Sequence, residues 1–456
     1  MFFKKLDYRN NVFFFLTMND PQWPRCTVSI YRALTLSKNA LAICLIVFCI
    51  IQNAFAFDWQ ERRRDQFGRD FSYFLYPIAG DIPGLGSAAG IGATVLNIGE
   101  TDLDFTGFNV QGDFDAAGYT FLDYHFIKNR LILDAGYYDF NVAPVQYNRG
   151  IDSSNDDYVL PKVEGKYFLA QLTLSFFQRQ FETYLRIRNG KQRLLQVLDE
   201  NGNEFSAVDT SERSVGDYTL GAILDNTDDR LDPRAGYRVE FSLTGYKDTD
   251  SLSSDFLISD YNITKYIPFR RWDTLVFNIF ASRAHLRNRV DADFDTLQQE
   301  RGLGCNDLPP GPEQDDCFAT EADYINELIA FNDYGVATPL GGTQRLRSFA
   351  NGRFYAGQSF FYGVEYRLNL TDEHVPFDIY VAKGVRTGLQ LAFFAEQGSV
   401  ADHAGDLFHT LKTSVGVGFR LVLSGVIIRA DYSTGNEGSE FILFINYPWS
   451  MFSVDS

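Results

Sequence analysis

The chain has 456 residues, of which 45% are apolar and 16% aromatic (42 Phe and 25 Tyr), yet its mean hydropathy is only −0.18. Beyond residue 56 no apolar run approaches the roughly 20 residues that a membrane helix needs, which excludes a helical membrane protein. The formal net charge of −18 argues against a nucleic-acid partner.

Residues 40–51 form a 12-residue apolar run just after Lys38, and Ala54-Phe55-Ala56 is a small-x-small cleavage site. Residues 1–56 are therefore expected to be a secretory signal peptide cleaved after Ala56. Removing them leaves 400 residues with 35 basic and 57 acidic side chains, a net charge of −22. Residues 57–70, with the charged run Glu61-Arg62-Arg63-Arg64-Asp65, are expected to be a short periplasmic segment, too small for an independent domain.

From residue 71 onward the chain alternates. In Glu182-Thr183-Tyr184-Leu185-Arg186-Ile187-Arg188, Glu182, Arg186 and Arg188 share one face and Leu185 and Ile187 the other. Tyr237–Leu243 and Tyr362–Leu370 repeat the pattern. Charges at every second position suit a wet lumen, with apolar and aromatic residues facing lipid. The pattern predicts sixteen strands: 71–79, 84–98, 103–114, 117–126, 129–141, 165–178, 180–189, 214–226, 235–250, 256–267, 270–287, 357–371, 387–400, 409–421, 424–433 and 438–449. The expected architecture is an all-β transmembrane antiparallel barrel over 71–449, followed by a tail, 450–456. With the N-terminus inside, the long connections 142–164, 190–213 and 288–355 come out external; only 372–386 is long for a periplasmic turn. The glycines from Gly84 to Gly92 read as small residues of an early strand.

Two cysteines remain after the leader, Cys305 and Cys317, inside the long loop 288–355. Two cysteines this close in an exported chain are most simply a disulfide, and a metal site would want further ligands that are not near. No metal and no cofactor is expected. The sequence contains no Gly-x-Ser-x-Gly, His-Glu-x-x-His or phosphate-binding glycine motif, so no enzyme is expected.

The same loop ends in Leu340-Gly341-Gly342-Thr343-Gln344-Arg345-Leu346-Arg347-Ser348-Phe349. This run resembles the loop tip of the BamA/TamA superfamily of outer-membrane barrels (bacterial surface antigens), whose usual form is Val-Arg-Gly-Phe or Val-Arg-Gly-Tyr. The glycine pair Gly341-Gly342, Leu346, Arg347 and Phe349 carry the likeness, and Ser348 stands where the family has Gly. Phe394-Ala395-Glu396-Gln397-Gly398 resembles the family's Phe-x-Asp-x-Gly strand motif, with Glu396 in place of Asp. Alternation puts Phe394, Glu396 and Gly398 on the lumen face. The resemblance implies sixteen strands, with the loop between the eleventh and twelfth folding into the lumen so that Arg347 meets Glu396. Asp225–Gly236 is similar to a family turn, and Ser414–Arg420 and Ile428–Tyr432 to family strands.

The final strand is expected to show Phe441, Leu443, Ile445, Tyr447 and Trp449 on one face, with Pro448 weakening the ladder at that end. In the family the first and last strands meet at a weak seam. The resemblance further implies transport or assembly of protein or lipid at the outer membrane, without the family's periplasmic POTRA domains. Its partners would be lipopolysaccharide or phospholipid, the barrel assembly machinery during biogenesis, and a periplasmic partner or a second copy. A passive solute pore and a non-transporting surface protein are the alternatives.

Overall fold

The computed structural model describes residues 67, 70–156, 158–200, 202, 204, 210–246, 252–270, 272–371, 377–385, 387–423 and 426–449. The expected leader, most of 57–70 and the tail 450–456 lie outside the described residues.

Among the described residues, sixteen barrel strands pair with their neighbours in chain order, all antiparallel, and close into a barrel. They are β1 (Ser72–Ile82), β2 (Gly86–Leu96), β3 (Asp104–Gly112), β4 (Asp115–Ile127), β5 (Leu131–Val142), β6 (Tyr158–Phe176), β7 (Phe181–Leu198) and β8 (Arg213–Thr227). The second half comprises β9 (Gly236–Tyr246), β10 (Asp255–Phe269), β11 (Asp273–Asn288), β12 (Gln358–Asn369), β13 (Thr387–Ala401), β14 (Lys412–Leu423), β15 (Val426–Gly435) and β16 (Gly438–Ile445).

The faces are those of a membrane barrel. Leu220 is 55% exposed and Phe393 47%, whereas Glu182, Glu365, Arg420 and Asp431 are fully buried. That inversion is stable only where lipid covers the outer surface, so the protein is an outer-membrane barrel. The long connections 143–157, 199–212 and 289–357 leave one end, and those at the other end are short turns except for 370–386; by the usual orientation the long-loop end is external.

Two strands run further than the alternation predicts. β6 and β7 extend from one another as a ribbon beyond the lipid, held by Arg193–Glu164 at 2.5 Å, while Lys191–Glu212, also at 2.5 Å, ties β7 to the loop entering β8. Outside the membrane both faces meet water, so strict alternation is not required there, and Leu194 and Leu195 stand in succession.

The connection between β11 and β12 holds two helices that alternation did not reveal, α1 (Phe294–Arg301) and α2 (Pro312–Tyr334). Asp293 caps α1 by accepting from Thr296 N–H at 2.8 Å, and Pro312 occupies the first turn of α2. The Thr296 hydrogen bonds hold the Asp293 carboxyl below its ordinary range. Cys305 and Cys317 are disulfide-bonded, with Cα atoms 5.6 Å apart, tying the turn after α1 to α2. The long connection 372–386 also holds structure, a small hairpin over 377–385.

A further departure lies at the end of the chain. β16 stops at Ile445, and Tyr447 and Trp449 turn into the lumen instead of continuing the lipid face. Asn446 and Trp449 adopt positive φ (82° and 68°), which breaks the alternation on which the expected face rested.

Candidate functional site: the loop tip in the lumen

After α2 the chain dives into the barrel. Leu340 and Phe354 form an isolated antiparallel bridge at the neck of the tip, with N–H···O distances of 2.8 and 2.9 Å. Inside it, Gly341 N–H donates to Arg345 O and Gly342 N–H to Phe349 O. Both glycines have positive φ (112° and 95°), and a Cβ on Gly341 would lie 2.2 Å from Ala350 O. Only glycine fits there. At Ser348 the backbone needs no such freedom; the positive φ falls on Leu346, at 53°. The serine is therefore tolerated.

Leu340, Leu346, Phe349 and Phe354 are buried against Phe280 and Phe361 from the wall. Gly398 on β13 makes room, since a Cβ would sit 2.7 Å from Leu340 Cδ1 and 3.2 Å from Leu346 Cδ1.

Arg347 is fully buried, and each of its three side-chain nitrogens donates to a carboxylate. Its backbone N–H and Nε donate to the two oxygens of Glu396 at 2.9 and 2.8 Å. Nη1 reaches Asp431 at 2.8 Å and Nη2 reaches Glu365 at 3.2 Å. The guanidinium lies over the Phe394 ring, 3.3 Å from its centroid. Ser433 Oγ donates to Arg347 O, and Ser348 N–H donates to Ser414 Oγ.

The lumen wall extends the pairing. Glu365 accepts two bonds from Arg420 at 2.6 and 2.5 Å and one from Arg367 at 2.8 Å. Asp431 accepts from Arg429, which also donates to Thr343 O of the tip. Four guanidiniums and three carboxylates thus form one buried network on β12–β15. A planar fork with five donors can satisfy several carboxylates at once, which an ammonium cannot.

Glu396 is where the sequence resemblance placed Arg347's partner. Glu365 lies in a segment singled out for its alternation, and Arg420, Arg429 and Asp431 in segments singled out for their likeness to family strands, although neither signal paired them. The C-terminal aromatics join the same network. Trp449 Nε1 donates to Glu396 Oε1 at 2.9 Å, and Tyr447 Oη donates to Asp232 at 2.7 Å. Asp232 belongs to the Asp225–Gly236 turn, whose acids therefore do more than shape the reversal.

A sixteen-strand barrel with an Arg-tipped loop between β11 and β12, bound to an acid on β13, completes the pattern. The fold is a sixteen-strand antiparallel barrel whose loop tip and facing acid resemble those of the BamA/TamA superfamily. Neither a family model nor a curated protein matches the sequence. Among solved structures, the barrel is similar to BamA from Haemophilus ducreyi lacking POTRA domains 1-3, at 12% identity and TM-score 0.44, over 82% of this chain and 68% of that one. It is also similar to CdiB from Escherichia coli (9% identity, TM-score 0.49, 83% of this chain, 63% of that one). CdiB from Acinetobacter baumannii gives 12% identity and TM-score 0.45, over 83% and 60%. The chain thus spans about two thirds or less of these neighbours.

At the external end the insertion is fastened separately. Arg149 pairs with Asp402 at 2.5 Å and donates to Gly335 O, while Glu327 of α2 accepts from Arg149 N–H at 2.6 Å. Between the tip and the β6–β10 wall remains a cavity of about 1410 Å³, lined by Tyr184, Arg186, Asp217, Asp260 and Arg345 among others.

Proposed function

We propose that this protein is a transporter-like outer-membrane barrel whose 288–355 loop is a plug, with the Arg347–Glu396 pair as its latch. The observation that supports this best is the complete burial of Arg347 among Glu396, Asp431 and Glu365. Burying a guanidinium is costly unless it is fully paired, and removing one partner of such a set costs about 3–5 kcal/mol. An ordinary surface-loop arginine would not be held so. The cargo class is protein or lipid handled at the outer membrane, in keeping with the family resemblance, and the periplasmic steps fall to other segments or partners.

Planar-bilayer recordings test the plug. Wild type should be nearly closed, and Arg347→Ala should conduct in large, flickering steps. A steady, wide wild-type conductance would count against it and favour the passive-pore alternative, for which the cavity beside the tip is the supporting feature.

A further inference from the structure

The barrel closes on a very short seam. β1 pairs with β2 along its whole length, from Ser72↔Leu96 to Ile82↔Gly86, but with β16 at one position, Asp81↔Leu443. Further down, residues 73–75 of the same β1 edge are taken by the hairpin between β12 and β13, while 77–80 have no ladder partner on this side among the described residues. Tyr73 pairs with Lys383 and Phe74 with Ala382, and Leu75 N–H donates to Val381 O at 3.0 Å. Ala382 and Val385 are buried with Phe74 and Tyr76, flanked by Leu423, Val426 and Ile445.

That edge is also where the last strand would lie. Continuing the register from Asp81↔Leu443 sets Tyr447 opposite Pro77 and Trp449 opposite Leu75. In that position both aromatics would face lipid beside Phe441, Leu443 and Ile445, as the period of the sequence prescribes. Pro448 does not forbid it. Asn446 N–H points to Ile427 O on β15, so residue 448 points the same way, and residues 447 and 449 face β1. Instead the chain leaves the ladder at Asn446, and Trp449 hydrogen-bonds to Glu396 in the lumen.

We propose that the 377–385 hairpin is a built-in strand substitute, and that residues 446–449 are the second occupant of the same β1 edge. The barrel then has two closures. In one, the hairpin covers β1 and Trp449 is held inside. In the other, the last strand zips along β1 and the hairpin is displaced. Both occupants claim Leu75, so they exclude one another. An uncovered edge strand is a template for unwanted pairing, and the hairpin shortens the β1 edge left open when the last strand is turned inward. The device does not depend on the plug, because it concerns the seam.

Disulfide trapping in outer membranes containing the full chain tests it. The pair Tyr73→Cys/Lys383→Cys reports the hairpin on β1, and Leu75→Cys/Trp449→Cys reports the last strand at the one position both occupants claim. With the native hairpin the first pair should crosslink in most molecules and the second in few. Replacing 377–385 by a Gly/Ser segment of equal length should raise the second crosslink several-fold. Lys383→Pro, which removes a ladder donor from an exposed position, should raise it too and keeps the test readable if the replacement misfolds. Failure of the first pair to crosslink in barrels that keep heat-modifiable mobility would overturn the proposal. So would a second crosslink of equal yield with and without the hairpin. Bilayer conductance of the Arg347 variant reads the plug independently of either result.

Discussion

Arg347 at the loop tip and Trp449 just after the last strand donate to the same oxygen. Arg347 Nε lies 2.8 Å and Trp449 Nε1 2.9 Å from Glu396 Oε1. The loop tip and the end of the last strand are thus joined through a single carboxylate, so disturbing it should be felt at both.

Glu396→Ala should loosen Trp449 as well as the tip. With Trp59 and Trp272 replaced by Phe, the emission of Trp449 should shift to the red as the indole loses its acceptor and gains water. An unchanged spectrum would show that Glu396 does not hold the C-terminal segment.

Arg347→Lys should be nearly as damaging as Arg347→Met. An ammonium cannot reach Glu396, Asp431 and Glu365 from one planar fork, so each change should cost about 3–5 kcal/mol of tip anchoring. The urea concentration at which the loop becomes protease-sensitive measures this, and wild-type behaviour of the lysine variant would contradict it.

Gly398→Val should expel the tip by crowding Leu340 and Leu346. Overpacking of this kind costs about 1–3 kcal/mol, and the change falls on the wall two residues from Glu396 without removing a charged group of the network. Limited proteolysis should cut within 289–357 faster than in wild type while the barrel stays folded. Unaltered cleavage would mean that the tip does not press on β13.

Cys305→Ser with Cys317→Ser should leave the barrel intact and soften only the cap. The disulfide spans 12 positions, and closing a loop of about that size is worth roughly 3 kcal/mol. Heat-modifiable mobility should be retained, with new cleavage around α1 and α2. Loss of the folded barrel would place the disulfide in a larger role.

The strands were legible because membrane and lumen impose a strict period of two, visible at Glu182, Leu185 and Arg186. Arg347 and Glu396 were legible through motif likeness, since geometry over 49 residues of separation leaves no local trace. Glu365 was legible on the charged face of an alternating segment and Asp431 only as part of a family-like strand, and pairing across strands depends on register. The helices α1 and α2 escaped because they stand on the external loop, outside the period that revealed the strands. Tyr447 and Trp449 were expected on one face with Phe441, Leu443 and Ile445 because the pattern truly has that period. What overrides it is two residues in the left-handed region and an acceptor, Glu396, reached only after folding.

Ser348 and Gly435 offer the most direct test of the plug, for a Cβ on Gly435 would lie 3.1 Å from Ser348 Cβ. The triple variant Arg347→Ala/Ser348→Cys/Gly435→Cys is recorded in a planar bilayer under oxidising and then reducing conditions, with Arg347→Ala alone as the control. The crosslink should hold the tip in the lumen and keep conductance low, and reductant should open the pore to the level of the control. Conductance that is high in the oxidised, crosslinked protein would contradict a lumen closed by this loop.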